Sequence, residues 1–154
     1  VDSVLHSSAK HDYQTPEHIL DLARQVMGTI KCDPATDHSN PTGAEIYFTR
    51  DDDGLGQWWP SPVWCNPPYG AELRREWAPR IVQHEGEAMV LVPSRTDTAW
   101  FRALWDWSGA LCFVRGRIKF RGEKHPAPFP SVVFYRGHFT GKFYEVFQQI
   151  GVVV

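Results

Sequence analysis

The chain has 154 residues, 16 basic and 18 acidic, for a formal charge of −2; that is enough for one domain with a substantial core and too little for a second. Cys32, Cys65 and Cys112 are odd in number and lack Cys-x-x-Cys spacing, which argues against a disulfide framework or a zinc knuckle and predicts reduced thiols. No apolar run is long enough for a membrane span and no cationic-then-apolar leader is present, so a soluble, intracellular chain is expected.

Residues 1–12 are polar and are expected to form a loosely ordered segment ahead of a single domain, 13–154. Thr15-Pro16 reads as a helix start, with Thr15 as cap and Pro16 in the first helical position; Ile19, Leu20, Ala23, Val26 and Met27 follow at helical spacing until Gly28. Residues 29–33 read as a short strand, 34–45 as a loop rich in turn formers, and 45–49 as a second strand. After the acidic turn Asp51-Asp52-Asp53-Gly54 come the Trp58-Trp59 pair, a buried strand at 62–65, a loop, and a helix over 71–85 in which Pro79 predicts a kink or a break. Residues 88–92 form an apolar strand that ends at Pro93-Ser94-Arg95, Asp97 or Thr98 opens a helix running to Trp107, and 110–114 is another strand. Strands separated by helices of this length predict right-handed crossovers and a mostly parallel, twisted sheet with ligands at one rim. In the last third, 118–120 and 131–135 read as strands flanking a Gly/Pro/His loop, followed by a helix over 140–150 and a terminal strand at 152–154 with antiparallel pairing.

The loop Cys65-Asn66-Pro67-Pro68-Tyr69 carries the most chemistry. An amine conjugated to an aromatic ring is a poor nucleophile, and methylating it requires acceptors that draw its lone pair out of the ring plane. The Asn66 carboxamide oxygen and the Pro67 carbonyl are candidates for those acceptors. Consecutive prolines hold the loop extended, with Pro68 fixing the second φ. Tyr69 offers a flat face on which an extruded base can stack. The same four residues also suit an ordinary polar turn, but the loop follows an apolar strand and precedes a helix, the place where open α/β sheets bind ligands.

These residues resemble the phage-type DNA N-6-adenine methyltransferases. The likeness spans roughly residues 12–136 and rests on Gln14-Thr15-Pro16, Asp33-Pro34-Ala35, Tyr47-Phe48-Thr49, Asp53-Gly54-Leu55, Asn66-Pro67-Pro68-Tyr69, the segment from Leu91 to Asp97, Gly116-Arg117-Ile118-Lys119-Phe120, and Ala127-Pro128-Phe129-Pro130-Ser131. The resemblance implies an α/β, Rossmann-like fold with helices on both faces of the sheet, S-adenosylmethionine as cofactor, and transfer of its methyl group to the exocyclic amine of a flipped adenine. Asn66, Pro67 and Tyr69 match the family's catalytic loop. Gln14, Thr15 and Pro16 match the segment that touches the methionine end of the cofactor, Asp33, Pro34 and Ala35 the first nucleotide-binding loop, and Asp53 the acidic residue at the cofactor's adenine or ribose edge; Cys65 joins them at the strand end. The Gly-x-Gly of larger amino-methyltransferases is absent, replaced by Ala35-Thr36. The implied setting is the cytoplasm of a bacterial host, with the protein encoded by phage or prophage and connected with restriction-modification. Duplex DNA is the implied partner, and the protein is expected to act without a membrane or metal as a monomer or weak dimer.

Residues 1–70 carry 4 basic and 10 acidic side chains and residues 71–154 carry 12 and 8, so the second half is the one fit to face a polyanion. Arg115, Arg117, Lys119 and Arg121 recur at a period of two and form a basic row in an extended segment; such a row either tracks phosphates or protects a sheet edge. Arg95, Lys124 and His125 are further candidate DNA contacts, with the alternative of surface loops. Asp33 either accepts from the cofactor's ammonium or caps its own loop as an Asx-turn. The seven His show no metal-ligand spacing, and the tryptophans from Trp58 to Trp107 read as core. Cytosine N-4 or protein glutamine methylation and a catalytically silent DNA-binding homologue, a decoy for host restriction, are the alternatives.

Overall fold

A computed structural model of the chain describes residues 12–154; of the polar segment expected at 1–12, all but Asp12 lies outside the described residues. The first helix, α1 (Glu17–Met27), begins one residue later than its sequence signal, with Pro16 as the flanking residue and no side-chain cap. Thr15 is not the cap, because its hydroxyl is taken by Asn66. Gly28 stops the helix at φ +82°, a conformation that costs glycine little. Strands β1 (Cys32–Asp33), β2 (Ile46–Tyr47) and β3 (Val63–Cys65) follow, shorter than their apolar runs, with two 3₁₀ turns, Arg50–Asp52 and Gly54–Gly56, between β2 and β3.

The proline inside the next helix neither breaks it nor leaves it regular. Helical structure continues through a π-turn at Leu73–Trp77 into α2 (Ala78–Ile81), which carries Pro79 in its first turn. A wider turn directly ahead of a residue without an N–H accommodates the missing i−4 bond. Then come β4 (Ala88–Pro93), α3 (Ala99–Trp107), β5 (Ala110–Val114), β6 (Ser131–Arg136), α4 (Thr140–Phe147) and β7 (Gly151–Val153). Thr98 caps α3 by accepting from the Phe101 N–H at 3.2 Å, the bond expected of an N-cap threonine.

The seven strands form one sheet in the order β2-β1-β3-β4-β6-β5-β7. β2, β1, β3 and β4 pair in parallel, whereas β4–β6, β5–β6 and β5–β7 are antiparallel and form the longer ladders. The expectation of a mostly parallel sheet therefore fails in the second half. The cause lies in 115–130: residues 118–120 are not a strand, so the chain leaves β5, makes no helical crossover, and re-enters the sheet as β6 in the opposite direction between β4 and β5.

Helices cover both faces. Phe134 and Tyr135 are neighbours on β6 and so point to opposite sides; Phe134 meets Phe101 of α3 with ring centroids 5.3 Å apart, and Tyr135 stacks on Phe143 of α4 at 5.2 Å. α1 packs beside α4, and α2 beside α3. With both faces covered, all of β4 and Ser131 to Tyr135 of β6 are buried, which is why these strands read as unbroken apolar runs. Cys32, Cys65 and Cys112 are free and buried, and burial pushes the Cys32 thiol up to about 12 and Cys112 to about 11. Trp59 and Trp107 are core as expected, but Trp58 is 77% and Trp105 40% exposed. No helix among the described residues is long and apolar enough to cross a membrane.

Gly54 shows how closely the elements around the parallel rim approach. A Cβ at this position would sit 2.1 Å from the Pro34 carbonyl oxygen, so Gly54→Ala must push the turn away from the β1 loop. Overpacking of this kind costs about 1–3 kcal/mol, to be read from the urea midpoint at unchanged slope. Gly141→Ala on α4, where an added Cβ meets nothing within 4 Å, is expected to leave stability unchanged or raise it.

Candidate functional site

Three neighbouring parallel strands release their chains at the same rim. β2 leads to Thr49-Arg50, β1 ends at Asp33 before Pro34-Ala35, and β3 ends at Cys65 before Asn66-Pro67-Pro68. Together with the Asp53-Gly54 turn and the segment from Asp12 to Thr15, these residues line a cavity of 540 Å³. The carboxyl edge of a parallel sheet is where such a cavity belongs. Of the residues singled out from sequence, Gln14, Thr15, Asp33, Pro34, Ala35, Asp53, Asn66, Pro67 and Pro68 come together here. Pro16 does not reach the cavity, and neither does Cys65, whose side chain is fully buried in β3; a residue inside a doubly covered strand has no open side.

The Asn66 carboxamide is fixed at both ends. Its Nδ2 donates to the Tyr13 carbonyl oxygen and to Thr15 Oγ1, the latter at 3.0 Å. A backbone carbonyl can only accept, so the amide's NH₂ must face Tyr13 and its oxygen must face the other way. That oxygen accepts from Tyr69 Oη at 2.6 Å, and the Tyr69 hydroxyl also lies 3.3 Å from the Leu91 carbonyl oxygen. A carboxamide oxygen has two lone pairs, so one acceptor position on Asn66 remains.

The Tyr69 ring is not the open platform its place in the motif suggests. It is 4% exposed and stacked on Tyr13, with centroids 5.5 Å apart and planes 20° from parallel. Phe120 and Phe129 close the group, meeting the Tyr13 ring at 5.1 and 5.2 Å. Tyr13 was not singled out from the sequence; its only signal is its place two residues before Thr15-Pro16.

Asp33 is 3% exposed. Its Oδ1 accepts from the Ala35 N–H at 3.2 Å, and its Oδ2 accepts from Thr42 Oγ1 at 2.9 Å. The first bond is the Asx-turn, and the same side chain also lines the cavity, so capping and exposure to a ligand coexist. Burial pushes the Asp33 carboxyl up to about 7, against the opposing hydrogen bonds from Thr42 and Ala35. Asp53 takes a left-handed φ of +52° and directs the turn toward the cavity. The wall is rich in acid: Asp12, Asp37, Asp51, Glu72 and Glu76 join Asp33 and Asp53, against Arg50 and His38. Arg50 is itself bound to Asp12 at 3.2 Å and Glu72 at 3.5 Å. Sequence reading missed Thr42, Arg50, Trp64 and Trp77 among the lining residues because nothing local marks them.

The candidate DNA residues are divided by the structure. Arg95, Arg115, Arg117, Lys119, Lys124 and His125 are exposed. Arg121 is not free: its guanidinium pairs with Glu17 at 3.1 Å and its N–H donates to the Gln14 carbonyl at 2.9 Å, so it tethers the segment ahead of α1. Residues 117–121 keep the expected alternation, with Ile118 and Phe120 buried and Arg117, Lys119 and Arg121 outside, although no strand forms. Among the described residues, no group of three or more His, Cys, Asp or Glu is placed to hold a metal ion.

Compared with known protein families, the chain matches the family described as DNA N-6-adenine-methyltransferase (Dam) over residues 2–132. It therefore belongs to the Dam family, whose activity is methylation of adenine in DNA. No curated protein and no solved structure matches it.

The buried Asp33 carboxyl has a directional consequence. Its folded pKa of about 7 lies above its ordinary 3.8, so its contribution to stability is complete below about pH 4 and is lost as pH rises through 7. Replacing Asp33 with Asn should flatten that part of the profile. The check is the thermal midpoint of the two chains from pH 4 to 8: their difference is expected to move in the variant's favour toward pH 8.

Proposed function

We propose that the chain transfers the methyl group of S-adenosylmethionine to the N6 amine of an adenine turned out of DNA. One observation carries the reading: the Asn66-Pro67-Pro68 loop opens into the same 540 Å³ cavity as Asp33, Asp53 and the rest of the acidic wall. S-adenosylmethionine carries a sulfonium and an ammonium against one carboxylate, and a wall with this excess of carboxylates suits a net cation. Asp33 is the group for the ammonium, Asp53 with Gly54 and Leu55 for the ribose or adenine edge, and Gln14 and Thr15 for the methionine end. When bound, this cofactor supplies an electrophilic methyl carbon on sulfur.

The chain's own part is orientation and charge. Asn66 Oδ1 has one acceptor position beyond its bond from Tyr69, and with the Pro67 carbonyl it would make two acceptors on one NH₂, which draw the nitrogen lone pair out of conjugation. They also stabilise the positive charge that develops on nitrogen as the new bond forms, which is preorganised electrostatic catalysis. Because the Asn66 amide is clamped by Tyr13 and Thr15, little reorganisation is needed at that moment. No covalent intermediate with the protein is required. Tyr13 covers Tyr69, so a base stacks on Tyr69 only after displacing the Tyr13 ring. The exposed cations Arg95, Arg115, Arg117, Lys119, Lys124 and His125 form the face offered to DNA in this reading, on a single domain spanning 13–154 within the cytoplasm of a bacterial host.

Asn66→Ala removes one of the two acceptors. Loss of a single preorganised group of this kind costs about 100- to 1000-fold in kcat, to be measured as tritiated-methyl incorporation into DNA, while calorimetric binding of S-adenosylmethionine stays within about tenfold of the parent. Activity at the parent level in the variant, or a methyl group found on cytosine when the product nucleosides are separated, counts against the assignment.

A further inference from the structure

A second depression, of 260 Å³, lies away from the acidic cavity. Its walls come from the first turn of α1, the end of β5 with the residues that follow it, and the chain after α4: His18, Val114, Arg115, Arg117, Lys119 and Gln149 are among its lining. Among the described residues, no carboxylate lines it. Arg115, Arg117 and Lys119 are exposed, and among the described residues none of them pairs with an acid. Glu17, the acidic neighbour of His18 on α1, is committed to Arg24 at 2.7 Å and to Arg121 at 3.1 Å. The depression is thus a concentration of uncompensated positive charge in a chain whose net charge is −2.

The segment that carries these cations is held at three points. The Arg115 N–H donates to the Ile150 carbonyl at 2.7 Å, the Ala127 N–H to the Ile118 carbonyl at 2.8 Å, and the Arg121 N–H to the Gln14 carbonyl at 2.9 Å. Ile118 and Phe120 are buried at 5% and 1% exposure, so Arg117 and Lys119 are presented from a rigid edge. Phe120, next to Lys119, turns inward to meet Tyr13 at 5.1 Å and Tyr69 at 6.5 Å. One extended stretch therefore joins the basic depression to the aromatic group beside Asn66. Similarly, only three positions of chain separate Thr15 on the cavity, just ahead of α1, from His18 on the depression.

We propose that this depression is a phosphate cradle that seats the DNA backbone of the strand bearing the target adenine, with Arg115, Arg117, Lys119 and His18 as its ligands. The inference rests on the adenine-methylation reading and adds to it the place where the strand is gripped. Guanidinium and ammonium donors against phosphodiester oxygens position a strand without reading its sequence. A backbone held here brings the adjoining nucleotide toward the Asn66 loop, against which Tyr69, Tyr13 and Phe120 pack.

The test is the salt dependence of duplex-DNA binding by the full chain, followed by fluorescence anisotropy over a potassium chloride series. Each neutralised phosphate contributes about 0.9 to the slope of log K against log salt, so Arg117→Ala/Lys119→Ala is expected to lower the slope by about 2 and Arg115→Gln by about 1. Arg117→Lys should keep the slope, and Lys142→Ala on α4 should change nothing. S-adenosylmethionine binding should be equal in all of these chains. A parent-like slope and affinity in both Arg117→Ala/Lys119→Ala and Arg115→Gln, with the parent still methylating adenine, overturns the cradle and leaves the methylation reading standing. A parent chain that binds the cofactor yet neither binds nor methylates DNA overturns both.

Discussion

The arrangement of the site depends on a single carboxamide. Asn66 sits at the end of β3, in a chain segment that has no covalent reason to know where residues 13 to 15 lie, yet both of its N–H donors are used there, on the Tyr13 carbonyl and the Thr15 hydroxyl. These two bonds close the rim of the sheet. They bring the segment ahead of α1 across the cavity and orient the Asn66 oxygen toward Tyr69. They also take Thr15 away from the helix end it was expected to cap. A half-buried amide left with unsatisfied donors would cost more than the helix loses in giving up a cap, which explains why α1 starts without one. The segment is tied further by Gln14 to Asp37 at 2.5 Å and by Arg50 to Asp12 at 3.2 Å, so its position is set by several independent contacts.

The two halves of the sheet do different work. The parallel half delivers three loops to one rim, and the cavity lies there. The antiparallel half has longer ladders, with Phe134 and Tyr135 at 0% exposure, and it anchors helices on both faces. Between them lies the irregular stretch 115–130, which reverses the chain direction, supplies Phe120 and Phe129 to the aromatic group, and exposes the basic row. The family match ends at residue 132, just inside β6, so α4, β7 and most of β6 complete the sheet beyond the matched segment.

What could be read from the sequence was local, and what could not was tertiary. The apolar runs of β4 and β6 were legible because a strand covered on both faces needs apolar side chains at every position. The Thr98 end of α3 and the Gly28 stop were legible because caps depend on neighbours in sequence. The stretch at 118–120 misled because its alternation of inward and outward side chains is real, but neither edge finds a partner strand; alternation requires only an extended chain with one buried side. Tyr69 and Arg121 misled for a related reason. The ring that covers Tyr69 and the carboxylate that claims Arg121 lie 56 and 104 residues away in the chain, and no periodicity encodes such a pairing.

The charge balance of −2 is best understood as two fields of opposite sign kept apart. Acidic residues gather around the cavity proposed for a cationic methyl donor, and Arg115, Arg117 and Lys119 gather around a second depression that shares no lining residue with it. Mixing them would defeat both sites: a guanidinium within the acidic wall would neutralise the attraction for the donor, and carboxylates beside the basic row would repel a phosphate backbone. Arg50, the one Lys or Arg among the described lining residues of the cavity, is already matched by Asp12 and Glu72, and the acid nearest the basic row along α1, Glu17, is matched by Arg24 and Arg121. These four ion pairs, all at least partly exposed, add little to stability by themselves. Their effect is to separate the signs, which is the arrangement the proposed binding of a small cation at one site and a polyanion at the other requires.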